Sequence, residues 1–164
     1  MKIPGFHSVW HVSVILLSTF SLPFVIGVSA HDGIQPPAPP APTGSQKTVW
    51  DGVFSEEQAK RGDELYQKSC SLCHRNDLTG TTSDGPPLKG LDFFIRWRGQ
   101  TLAEMLDAIR EIMPANNPDG LPAQTYLDIM TFLMKSNGIP AGTTDLVYNP
   151  DTLQTIVFTE KPKG

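Results

Sequence analysis

Cys70, Cys73 and His74 are the residues whose types and spacing can do chemistry. In Cys70-Ser71-Leu72-Cys73-His74 the two thiols are separated by two residues. At that spacing both can add as thioethers to the two vinyl groups of one haem, and the imidazole that follows then lies under the iron as an axial ligand. Three other chemistries share parts of the pattern. A thioredoxin-like redox pair has the same cysteine spacing but belongs after a strand in a βαβ pattern. A zinc site needs four ligands, whereas these residues supply three and the chain has no further cysteine. A disulfide suits an oxidising compartment but gives His74 no part. Haem attachment is the reading that uses all three side chains.

A second axial ligand must come from elsewhere in the chain. The remaining histidines are His7, His11 and His31, all ahead of residue 49, where the compact part is expected to start. A thioether is the alternative, from Met105, Met113, Met130 or Met134. Met113 precedes Pro114 and the polar loop Ala115-Asn116-Asn117-Pro118-Asp119-Gly120. A loop residue can turn its sulfur to iron without dragging a helix face with it. Met105 lies within an apolar stripe and reads as core. Met130 and Met134, at i and i+4 on the last predicted helix, read as packing or surface residues.

The elements that must position these groups are legible in outline. Ser55 with Gln58 three residues on has the form of a capping box, opening a helix that runs to about Lys68, just before Cys70. Gly62 within it costs about 1 kcal/mol relative to alanine, and Tyr66 follows one turn later on the same face. That pair points to a close helix crossing at the bare backbone. Residues 75–90 contain Gly80, Gly85, Pro86, Pro87 and Gly90 and read as a long irregular segment wrapped around a ligand. Thr101 with Glu104 caps a second helix, whose Leu102, Met105, Leu106, Ile109 and Ile112 form an apolar stripe ended by Pro114. A third begins near Leu121-Pro122, carries Tyr126, Ile129, Phe132 and Leu133 on one side, and ends at Gly138. After it, Leu146, Leu153, Ile156 and Phe158 suggest a short turn and an extended piece.

The remaining features set the boundaries. Residues 1–30 combine Lys2, an apolar run over residues 12–30 and the small residues Val28-Ser29-Ala30, which is the form of a cleaved signal peptide. An uncleaved anchor helix is the rival, since the run is nearly long enough to span a bilayer. Residues 31–48 hold Pro36-Pro37-Ala38-Pro39-Pro40-Ala41-Pro42 and read as an extended linker. A domain over residues 49–140 and an extension over 141–164 complete the division. Apolar residues make up 39% and charged residues 18%, so a domain of this size is marginal without a staple, metal or cofactor. The formal charge of −4 offers no basic face for nucleic acid.

Residues 53–138 resemble the class I cytochrome c family, in its bacterial single-haem type. Gly62 and Tyr66 match the glycine–aromatic pair of the family's first helix, and Ile129, Phe132 and Leu133 match the side of the last helix that crosses it. Gly85-Pro86-Pro87-Leu88-Lys89-Gly90 is similar to its G-P-x-L-x-G loop. The resemblance implies that the Pro86 carbonyl accepts from His74 Nδ1 while Leu88 packs on the haem. Met113-Pro114 is similar to the Met-Pro of the bacterial sixth-ligand loop. Trp97 matches an aromatic that borders the haem, though it reads equally well as an ordinary core or surface aromatic, and Arg96 and Arg98 read as solvated charges.

The fold implied is all-α: a small cytochrome c-like arrangement of three to four helices around one covalently attached haem c. The function implied is transfer of single electrons between a donor and an acceptor protein, periplasmic or otherwise exported, with no enzyme activity of its own. Contact with a membrane is expected only if the N-terminal segment is retained. Two rivals stand beside this reading: a haem subunit permanently assembled with an oxidoreductase, and a haem enzyme or gas sensor with a labile sixth ligand. The extra tail resembles those of bacterial cytochromes that work beside quinoprotein dehydrogenases.

Overall fold

A computed structural model describes residues 46–163 except Thr82. The expected signal peptide over residues 1–30, and the linker up to residue 45, lie outside the described residues. The element order is β1 (Lys47–Thr48), α1 (Glu56–Ser69), α2 (Ser71–His74), α3 (Leu91–Trp97), α4 (Leu102–Ile112), α5 (Ala123–Ser136), α6 (Pro150–Gln154) and β2 (Ile156–Val157). The three long helices fall where periodicity puts them. The three short ones raise the count above the three to four expected, because helices of four to seven residues carry too little apolar period to be read from sequence. No helix among the described residues is long and apolar enough to cross a membrane.

Both capped helices begin where their sequences say, with one difference. In α4 the box is complete: Glu104 N–H donates to Thr101 Oγ1 at 3.2 Å, and the Glu104 carboxylate accepts from Thr101 N–H at 2.7 Å. In α1 only half forms. Ser55 Oγ accepts from Gln58 N–H at 3.0 Å, but the Gln58 side chain turns inward and is 0% exposed. Its amide donates to Asp128 Oδ1 and to the Leu146 carbonyl, each at 2.8 Å, and accepts from Leu146 N–H at 2.7 Å. A buried amide between two helices and a chain segment satisfies more orphan groups there than by reaching back to its own helix end.

The main packing contact is the crossing of α1 on α5. A Cβ at Gly62 would lie 1.9 Å from the Asp128 carbonyl oxygen and 3.0 Å from Phe132 Cβ, so only glycine lets the two backbones approach this closely. Tyr66, fully buried one turn on, packs its ring 5.2 Å from that of Phe132. Met105, Met130 and Met134 are all buried in the core. Ile112, expected on the apolar stripe of α4, is instead half-exposed at the helix end.

The C-terminal segment belongs to the same core. Leu146, Leu153, Ile156 and Phe158 are all buried, and Phe158 meets Phe93 edge-on at 5.8 Å. Strand β2 pairs in parallel with β1, Lys47 opposite Ile156 and Thr48 opposite Val157. On its other side Phe158 N–H donates to the Gln100 carbonyl and its own carbonyl accepts from Gly99 N–H, both at 2.8 Å. Lys47 and Thr48 therefore pair within the domain, although in sequence they look like the end of the linker. A two-residue strand without alternation carries no signal of its own.

Candidate functional site

Cys70 closes α1, its N–H donating to the Tyr66 carbonyl at 2.9 Å. The chain turns there into α2, a single turn that carries Cys73 and His74, with Cys70 at the junction of the two helices. Cys73 and His74 N–H groups donate to the Cys70 carbonyl at 3.2 and 3.0 Å, so the motif is one tight loop of backbone. Leu72, between the cysteines, is 94% exposed. The two cysteines are not joined in a disulfide; Cys70 is half-buried and Cys73 exposed. Burial, with a smaller contribution from neighbouring Cys73, pushes the Cys70 thiol up to about 11. A thiol–disulfide catalyst needs the opposite shift, towards thiolate.

His74 is only 6% exposed, enclosed by residues 75–90. Its Nδ1 lies 2.8 Å from the Pro86 carbonyl oxygen. A carbonyl can only accept, so Nδ1 is the donor, and in the tautomer able to bind a metal Nε2 keeps its lone pair. The ring rests on Gly85: a Cβ there would come 2.9 Å from Cε1 and 3.0 Å from Nδ1. Backbone bonds close the wrapping segment, from Gly80 N–H to the His74 carbonyl at 3.0 Å, Thr81 N–H to Gly85 at 2.7 Å and Leu88 N–H to Leu78 at 2.9 Å. Arg75, in a left-handed conformation, offers its carbonyl to the Tyr66 hydroxyl at 2.6 Å. That bond ties the segment's start to α1.

Its far end is held by Asn137, which the sequence reading did not single out. The Asn137 amide donates to the Leu88 carbonyl at 3.0 Å and accepts from Gly90 N–H at 2.8 Å. The same amide also donates to the Leu133 carbonyl at 2.8 Å, so it joins the end of α5 to the Pro86–Leu88 loop. An Asn just before a helix-ending glycine is the available signal, but it reads as a local cap rather than a long-range clamp. Leu88 is half-buried against the core. Trp97 is buried, with the Arg96 guanidinium 5.0 Å above its ring, and Arg98 pairs with exposed Glu160 at 2.6 Å.

Met113 lies just past the end of α4. Its N–H donates to the Ile109 carbonyl at 2.8 Å, and its carbonyl accepts from the Tyr126 hydroxyl at 2.7 Å. The following loop closes back on α4, with Asp119 N–H on the Arg110 carbonyl at 2.9 Å and Arg110 Nε on Asp119 Oδ1 at 2.7 Å.

The donor set fits a haem. Two cysteines and one imidazole sit on a single turn, the imidazole uses Nδ1 on the Pro86 carbonyl so that Nε2 is the nitrogen left to ligate, and no carboxylate shares the turn. Among the described residues no three His, Cys, Asp or Glu side chains are grouped to hold a bare metal ion. Residues 57–133 match the family model described as cytochrome C oxidase, cbb3-type, subunit III. The matched span runs from the first turn of α1 through most of α5 and takes in Cys70, Cys73, His74 and Met113. No curated protein and no solved structure gives a significant match.

Proposed function

Residues 57–133 belong to the cytochrome c family, and from that premise we propose that this protein carries single electrons between periplasmic redox partners. One haem, bonded through Cys70 and Cys73 and ligated by His74 and Met113, is the carrier group. The observation that supports this most directly is the 2.8 Å contact of His74 Nδ1 with the Pro86 carbonyl, which leaves Nε2 as the electron-pair donor of a buried ring. When bound, the haem supplies a one-electron iron couple.

The chain's own residues do the rest. Cys70 and Cys73 anchor the macrocycle to α2, next to the imidazole. Pro86 fixes the orientation of that imidazole and makes Nε2 a stronger donor. Met113 offers a soft thioether, which favours reduced iron and raises the potential. His74 and Met113 would together hold the iron, which would then exchange electrons rather than bind a substrate, and the fold contributes burial and orientation.

Export is part of this reading, through the leader over residues 1–30. Docking on donor and acceptor is brief and through a small area. Without Lys2 of the leader, 12 basic residues stand against 17 acidic ones and the formal charge is −5, which favours partners with a basic docking face, and such steering weakens as salt rises. The matched family's description names an oxidase subunit, which favours a second reading: a haem subunit held permanently in an oxidoreductase complex. Co-purification with a large partner would select it.

The test is an absorption spectrum of the exported protein in both oxidation states, together with its mass. The expected result is one haem per chain that acidified organic solvent does not extract, a sulfur–iron charge-transfer band in the ferric state, and poor carbon monoxide binding when reduced. Extractable haem sinks the thioether assignment. Ready carbon monoxide binding points instead to an enzyme or gas sensor.

A further inference from the structure

We infer that Tyr126 is the positioning residue for the sixth ligand, holding the Met113 backbone so that only side-chain rotation is needed to deliver the sulfur. The inference rests on the reading of Met113 as that ligand. Met113 is extended (φ −126°, ψ 149°) where α4 ends. Both of its peptide groups are engaged, and by different helices: its N–H by Ile109 of α4 and its carbonyl by the Tyr126 hydroxyl of α5, at 2.8 and 2.7 Å.

Apart from Pro122, whose carbonyl caps the first turn of α5, the rest of the loop is tied to itself and to α4. Asn117 N–H donates to the Pro114 carbonyl at 2.8 Å and Gly120 N–H to Asn117 at 3.0 Å, while Asp119 and Arg110 pair through backbone and side chain. Among the described residues, the Tyr126 hydroxyl makes the one side-chain hydrogen bond from α5 to this loop. Tyr126 is 2% exposed, on a helix whose place against α1 is set by the close approach at Gly62. A rigid helix therefore holds the ligand residue's carbonyl through a single phenol.

Holding the backbone removes in advance the entropy that would otherwise oppose the sulfur–iron bond. Removing the phenol leaves the carbonyl without that partner and lets the chain at Met113 shift. A hydrogen bond of ordinary net strength corresponds to roughly a two- to tenfold change in the open population. An added ligand that competes with Met113 reads that population directly, because its apparent affinity scales with the open fraction.

The experiment titrates imidazole into the ferric, full-length exported holoprotein and follows loss of the sulfur–iron band. Wild type is compared with Tyr126→Phe, which keeps the ring and removes the hydroxyl, and with Val49→Ala, a core truncation beside β2. Tyr126→Phe is expected to bind imidazole on the order of fivefold more tightly than wild type, with unchanged helix content and haem stoichiometry, while Val49→Ala matches wild type. Equal affinity in Tyr126→Phe and wild type overturns the inference, as does an equal rise in Val49→Ala, which would mean general loosening. Either result leaves Met113 as the ligand. If wild type lacks the band and Met113→Ala leaves imidazole affinity unchanged, the ligand assignment itself falls, and the role of Tyr126 with it.

Discussion

The two candidate ligands are held in different ways. His74 is fixed at its side chain: its ring face lies on Gly85 and its Nδ1 is bonded to Pro86, within a segment closed by backbone hydrogen bonds. Met113 is fixed only at its backbone, between Ile109 and Tyr126. Its thioether is a weak acceptor with free torsions. One side is therefore built to present a single geometry, and the other to allow exchange at the end of a flexible stem. Damage to the histidine side should be close to all-or-none, and damage to the methionine side should be graded.

The largest effect tests the histidine side. Gly85→Val puts a Cβ 2.9 Å from the imidazole, so the ring must move and its bond to Pro86 is lost. Loss of an outer partner of this kind lowers metal affinity on the order of 10–100-fold. The expected outcome is loss of the histidine-ligated form, read from the absorption spectrum in both oxidation states, with haem still attached through Cys70 and Cys73. Normal holoprotein with an unchanged spectrum would break the contrast between the two sides.

Met113→Ala comes next. The protein should still fold and attach haem, because the histidine side is intact. Its potential should fall by on the order of 0.1 V, a modest part of the range that axial ligands span, and its reduced form should bind carbon monoxide readily. Potentiometry and gas titration check both. If Met105→Leu, Met130→Leu or Met134→Leu instead abolishes the sulfur–iron band, the methionine side has been drawn around the wrong residue.

The smallest effect on the haem is expected from Gln58→Ala, which cuts the clamp on Leu146 and touches neither ligand. It leaves the buried Leu146 N–H without a partner, while the Leu146 carbonyl keeps its bond from Gln124, and should cost about 1–3 kcal/mol. Denaturant unfolding should show that loss, while potential and spectrum stay as in wild type. A shifted potential would show that ligand geometry depends on overall stability, and the contrast would no longer be local.

What the sequence made legible was the local chemistry. Cys70, Cys73 and His74 are adjacent in the chain, and the helix starts at Ser55 and Thr101 are written within four residues each. Gly62 is readable because a glycine inside a strong helix needs a reason. Gln58, Asn137 and Tyr126 were not legible as clamps. Each makes its decisive bond to a backbone group 13 to 88 positions away, and a polar side chain with a distant partner looks in sequence like one facing water. The tail was legible only in outline: Leu146, Leu153, Ile156 and Phe158 suggest a short turn and an extended piece, matched by α6 and β2, but four scattered apolar residues do not say that all are buried in the main core.

That tail can also be described as a peptide ligand. Leu146 meets the Gln58 amide through both of its backbone groups, as it would a neighbouring strand. Gln124 repeats the device, donating to the Leu146 carbonyl at 3.1 Å and accepting from Tyr148 N–H at 2.8 Å. Trp50 reaches the Thr159 carbonyl at 3.0 Å, and β2 slots between β1 and residues 99–101. All of these contacts are noncovalent, and the chain leading into them passes through exposed Thr143 and Thr144. The link across that turn thus acts as a tether that keeps the peptide at high effective concentration, and the domain is laid out as a receptor and its ligand encoded in one chain.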